Sequence, residues 1–125
     1  MRSVVYDAGV LIAADRSQRR TWAEHRVRLE AGTVPLVPAP VVAQVSRSRE
    51  QAPLRRLLRG CEVVAFDEAA AHLAGALMSR ARTKDVVDAS VAVVSIRHGA
   101  DVTDDADDVR ALLAAARSNA KLIDV

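Results

Sequence analysis

Two features of the sequence predict an α/β fold with a central parallel sheet of about four or five strands flanked by helices. Short apolar runs alternate with longer segments of helical character, and Gly, Pro and Asp separate them. Half the residues are hydrophobic, yet Tyr6, Trp22 and Phe66 are the only aromatics. The core must therefore be Val, Leu, Ile and Ala, which suits helices packed on a buried parallel sheet. Strands separated by helices form parallel units with right-handed crossovers. An α+β arrangement fits the alternation less well.

The elements follow in order. Residues 2–6 read as the first strand, and the run from Val10 to Ala14 begins a helix directly after Asp7 and Gly9. A second helix spans 17–31, with Trp22, His25 (or Arg26) and Leu29 at helical spacing before Gly32. Residues 34–37 form a short second strand beside Pro35 and Pro38. Pro40 sits where a first-turn proline is tolerated, so 41–49 reads as a helix. Residues 53–59 form another, stopped by Gly60, and 61–66 a third strand. Asp67 caps a helix over 68–81, with Ala, Leu and Met on its inner side. Asp85 or Asp88 opens the next helix, which ends near His98 and Gly99. Residues 100–103 are a fourth strand, 107–117 a helix and 121–125 a last strand.

The 125 residues fit one domain, 1–125, with one core and no repeat or linker. Cys61 is the sole cysteine, so no intrachain disulfide forms, and its setting before Val63 suggests a buried, inert thiol. Asp7 interrupts the first apolar stretch and no cleavage-site pattern follows, so no signal peptide is expected, and no run is long enough to span a membrane. A soluble cytoplasmic protein is expected. Scarce aromatics argue against an RNA-binding module built on base stacking.

The formal net charge of +2 hides an asymmetry. Arginines crowd residues 16–59, among them Arg19, Arg20, Arg47 and Arg49, and aspartates crowd 85–108. A basic rim around an acidic pocket suits a polyanion held at a metal site.

Asp7 ends the first strand, Asp104 and Asp105 end the fourth, and Asp88 lies near the start of the helix feeding the fourth. Ligands of open α/β sheets bind outside the carboxyl ends of the strands. Two carboxylates about 5 Å apart repel by roughly 3 kcal/mol at an effective dielectric near 20. A hard divalent cation relieves such a cluster, and Mg²⁺ takes oxygen ligands while keeping several waters. Asp is also a preferred N-cap, and Asp107 and Asp108 suit the first turn of their helix. His72 reads as a partly buried, satisfied side chain, and His25 and His98 as isolated, with no zinc spacing. Ser46, Ser48 and Ser90 lack a nearby His–Asp arrangement in sequence.

These residues resemble a family. "VVYDAGVLIAAD", "DVVDASVAVVS" and "DVTDDADDVRALL" are similar to the three motifs of PIN-domain nucleases, specifically the VapC-type toxins, and the likeness covers essentially the whole chain. The resemblance implies a ribonuclease using Mg²⁺ or Mn²⁺, with Asp7, Asp88 and Asp105 as catalytic and metal-site acids. Asp104 takes a position that is usually small and polar, and Asp108 is an accessory. It also implies an RNA substrate, a cognate antitoxin protein over the site and a homodimer. Arg19, Arg20, Arg47 and Arg49 would hold the RNA backbone.

One position departs. In "PAPVVAQVSRS", Gln44 stands where the family supplies a Glu, so an oxygen remains but no charge. Asp85, three residues before Asp88, can replace that carboxylate if both lie on one helix face. The alternative is a catalytically weakened or inactive PIN fold that binds RNA or a partner. A phosphoacceptor receiver domain fits poorly, because a single acid follows strand one and the Lys of "KLIDV" lies at the wrong end of its strand.

Overall fold

Three consecutive buried residues, Val4–Tyr6, make the first strand, β1, and the chain enters helix α1, Ala8–Asp15, with one residue between. The structure, a computed structural model, describes residues 3–103, 107–118 and 120. After α1 come α2 (Arg19–Glu30), β2 (Leu36–Pro38), α3 (Ala39–Val45), α4 (Ala52–Arg59) and β3 (Glu62–Val64). Then follow α5 (Glu68–Ala81), α6 (Val86–His98), β4 (Asp101–Thr103) and α7 (Asp107–Ala115).

The sheet is parallel throughout, in the order β3-β2-β1-β4. Four strands flanked by seven helices among the described residues give the α/β architecture that the alternating pattern predicts. The strand expected at 121–125 lies outside the described residues. No helix of the described residues is long and apolar enough to cross a membrane.

The core lies on both faces of β1. Val5, Tyr6, Leu11, Val37, Val41, Leu57, Ala92 and Val102 are completely buried. Helix α6 packs on β1 and β2 and is buried along Ala89–Ser95, so it behaves as a central rather than a surface helix. Its two inner hydroxyls are satisfied locally: Ser90 donates to the Val87 carbonyl at 2.6 Å and Ser95 to that of Ala100 at 2.6 Å.

Several boundaries differ from the sequence expectation, each for a local reason. Ser17 takes a left-handed conformation, φ 58°, so the second helix begins at Arg19 rather than at 17. The helix expected over 41–49 starts earlier, behind Pro38, and stops at Val45. Gln51 is the cause: its Oε1 accepts from the amides of Arg47 and Ser48 at 2.6 and 3.1 Å. Its Nε2 reaches Asp15 Oδ2 and the Val45 carbonyl, at 3.0 and 3.1 Å. A side chain thus takes over backbone groups that a longer helix would pair internally. The strand expected over 61–66 shrinks to Glu62–Val64; among the described residues β3 is the sheet edge and pairs with β2 alone. Residues 68–81 are helical as expected, with Asp67 capping through its bond from the Ala70 amide at 2.9 Å.

Leu11 has no exposed surface and joins α1 to the sheet. Truncation in such a site destabilises by about 2–5 kcal/mol. Leu11→Ala is therefore expected to lower the urea midpoint by that amount of stability, with the denaturant slope unchanged.

Candidate metal centre

The acidic edge is built from strand ends and helix starts. Tyr6 of β1 pairs with Thr103 of β4, and the Thr103 hydroxyl donates to the Val5 carbonyl at 3.0 Å. Asp7 leaves β1 at that edge and becomes the N-cap of α1. Its φ is −95° and its Oδ1 accepts from the Val10 amide at 3.4 Å. It is half-buried.

Asp85 is the N-cap of α6, and its Oδ1 accepts from the Asp88 amide at 3.0 Å. Asp88 therefore sits in the first turn of α6, half-buried, and Asp108 in the first turn of α7, exposed. Helices α6 and α7 pack together, which brings their amino ends to one place. Carboxylate oxygens of Asp85, Asp88 and Asp108 lie within 4.8 Å of one another. Two positive helix ends offset part of the repulsion among them. Solvent around Asp85 and Asp108 screens more of it.

Of the acids expected in the site, the structure thus gathers Asp88 with Asp85 and Asp108. Asp7 stands outside that trio, at the neighbouring strand end. Asp104 and Asp105 lie outside the described residues. Asp85 is not inside the helix, as sharing a face with Asp88 would need; it caps the helix and meets Asp88 through the cap. Gln44 lies on α3, which packs on both α1 and α6; its side chain is exposed, and its carbonyl accepts from Arg47 Nη1 at 3.0 Å. The donor set of the trio is all carboxylate oxygen, which fits a hard divalent cation and not a soft one.

The four arginines expected to hold a polyanion are all exposed. Arg19 and Arg20 start α2, where Arg20 Nε pairs with Glu24 at 2.8 Å. Arg47 and Arg49 lie in the loop after α3, and the Arg49 carbonyl accepts from Arg55 Nε at 2.8 Å.

Beneath this edge runs a buried polar chain that sequence spacing does not reveal. Arg28 Nη1 donates to the Tyr6 hydroxyl at 3.2 Å, and that hydroxyl lies 2.8 Å from His25 Nδ1. The guanidinium also stands over the Tyr6 ring, 5.4 Å from its centroid. Since Arg28 can only donate, the Tyr6 hydroxyl donates onward, and His25 accepts as a neutral ring. Burial, with Arg28 adding to it, holds the His25 pKa below its ordinary value of 6.5. Burial also pushes the Tyr6 hydroxyl up to about 12. His25 is therefore not isolated; nineteen residues separate it from Tyr6, and the one sequence signal was a polar residue on the inner stripe of a helix. His72 departs the other way, being exposed and paired with Glu68 at 3.1 Å. The Cys61 thiol is half-buried, donates to the Leu57 carbonyl at 3.3 Å, and burial raises its pKa to about 12.

A family model described as PIN domain matches residues 4–112. A search among curated proteins gives no match.

The buried His25 makes stability depend on pH with a definite sign. Its folded pKa lies below 6.5, so the fold favours the neutral ring. The contribution is complete above about pH 6.5 and is lost progressively as the pH falls from there toward the lowered value. Urea midpoints measured from pH 8 down to pH 5 are expected to fall more steeply for the wild type than for His25→Gln. Parallel slopes would assign the acid sensitivity to other groups.

Proposed function

The chain belongs to the PIN-domain family, and on that premise we propose that it is a metal-dependent endoribonuclease that hydrolyses RNA phosphodiester bonds, acting as the toxin of a VapBC-type toxin–antitoxin pair. PIN domains are typically nucleases and generally use divalent metal ions. The observation that carries the metal-dependent reading is the meeting of Asp85, Asp88 and Asp108 within 4.8 Å at the edge where the strands end.

In this reading Asp7, Asp88 and Asp105 hold Mg²⁺ or Mn²⁺, and Asp85, Asp104, Asp108 and Gln44 assist. The ion supplies an acidified water and charge relief at the phosphodiester. Asp85 keeps Asp88 in place through the cap bond, fixing the first turn of α6. Gln44 contributes an oxygen without charge, so the acids carry more of the cation's attraction than in a site with a fourth carboxylate. Arg19, Arg20, Arg47 and Arg49 offer positive charge for the RNA backbone. The proposed assembly is a homodimer controlled by an antitoxin that covers the acids. Gln44 is also what favours the second reading, a PIN fold that binds RNA with weakened or no cleavage.

The test is cleavage of single-stranded RNA in Mg²⁺ or Mn²⁺. Asp85→Asn keeps a good N-cap and removes one charge, and a loss of about 10–100-fold in metal affinity or rate is expected, the range for groups that orient ligands. Asp7→Asn and Asp88→Asn are expected to lose more. Cleavage by Asp7→Asn equal to the wild type would overturn the reading.

Gln44→Glu restores the family's charge. Calorimetric titration with Mn²⁺ is expected to show tighter binding than the wild type. Unchanged affinity would remove Gln44 from the site.

A further inference from the structure

A groove of about 380 Å³ runs from the acidic edge along the outer face of α1 to the start of α2. Gly9, Ile12, Ala13 and Arg16 form one wall at helical spacing; Gln18, Arg20, Thr21 and Glu24 form the other. Its near end adjoins Asp7, because a Cβ at Gly9 would stand 3.5 Å from Asp7 Oδ1. Its far end lies about one length of α1 away, eight residues or roughly 12 Å.

Three independent features at the far end call for an anion. The first-turn amides of α2 have no intrahelical acceptor. The Gln18 side chain does not cap them, and no acid stands in that turn. Thr21 is 7% exposed and lines the groove; its hydroxyl has no hydrogen-bond partner among the described residues, and it is not sealed from the groove. Arg16, exposed, makes no side-chain ion pair or hydrogen bond among the described residues. Among the described residues Glu24 is the one acid lining the groove, and it is already countered by Arg20 at 2.8 Å and Arg28 at 4.0 Å.

We propose that the amino end of α2, with Thr21 and Arg16, is a phosphate subsite that holds the backbone of a single-stranded RNA a few nucleotides from the bond at the acidic edge. This rests on the nuclease reading for its substrate. Helix amino ends bind phosphate through oriented amides and the helix dipole. Thr21 adds a donor and Arg16 a mobile charge. Ile12, 38% exposed between the two ends, offers apolar surface to an intervening sugar or base. Phosphate contacts position a strand without reading its sequence, so the subsite sets register and length preference.

The decisive variant is Gln18→Asp, which supplies the missing cap. A carboxylate there stabilises the helix and takes the amides from the phosphate. Binding of a fluorescein-labelled single-stranded RNA is followed by anisotropy without divalent ions, so that nothing is cut, over a range of salt. Gln18→Asp is expected to melt at a higher temperature and to bind RNA several-fold more weakly. Thr21→Val weakens binding a few-fold. Arg16→Ala lowers the slope of log affinity against log salt by about 0.7, the value for one single-strand phosphate contact. Arg26→Ala removes one charge from the exposed Arg26–Glu30 pair, outside the groove, and keeps the wild-type slope. Wild-type affinity in Gln18→Asp, or an equal slope loss in Arg26→Ala, overturns the subsite. Cleavage in Mn²⁺ separates the two readings. Binding that follows this pattern without cleavage refutes the hydrolase and keeps the subsite. Cleavage with RNA binding untouched by Gln18→Asp and Arg16→Ala refutes the subsite and keeps the hydrolase. Absence of RNA binding by the wild type refutes the subsite outright.

Discussion

The parallel pairing of β1 with β4 sets where Asp7, Asp85 and Asp88 stand. Tyr6 and Thr103 face each other at the same edge, and the Thr103 hydroxyl fastens the two strands at their ends. Since α6 precedes β4 and packs along the sheet, it must run back against the strands, and its amino end arrives at the edge where they finish. A slip of one residue in β1 would turn Tyr6 out of the core and draw Asp7 into it. Burial of Tyr6 and placement of Asp7 are thus one constraint. The Tyr6–His25–Arg28 chain reinforces it, because a buried hydroxyl with two partners fits in one orientation only.

The electrostatics follow from the same geometry. Three helices, α1, α6 and α7, begin at or beside the acidic edge, and each presents its positive end to a carboxylate. Asp7 and Asp85 also satisfy amides as caps. The acids therefore stabilise local structure as caps and first-turn residues, besides the role in cation binding proposed for them. Helix α2 breaks the pattern: it begins at the far end of α1 without a side-chain cap and without an acid. Its opening turn carries Arg19 and Arg20 instead, so one strip of surface passes from negative to positive along α1.

Much of this was legible in the residues. Val-rich runs separated by helices specify a parallel sheet, and Asp67 announced its helix to the residue. Asp7, Asp85 and Asp88 were legible as strand-end and helix-start acids for the same reason. What stayed hidden depended on contacts between distant residues. Gln51 ends α3 by reaching Asp15, thirty-six positions away, which no local propensity encodes. His25 looked solitary because its partner lies on another element. Gln44 could be recognised as a missing charge only through the family resemblance. The Ser17 turn was invisible because serine carries no strong signal for a left-handed backbone.

The edge strand β3 bears on how the molecule behaves among its own copies. It lies two strands from β1, roughly 10 Å across the sheet. Val63 is 47% exposed there, and beyond β3 no described strand pairs with the sheet. An open strand of this kind is a template on which another chain can be laid. Brevity and charge limit that hazard: β3 is three residues long and starts with exposed Glu62. Lengthening β3 toward Phe66 while neutralising Glu62 would therefore favour self-association, with the acidic edge beside β1 and β4 left in place.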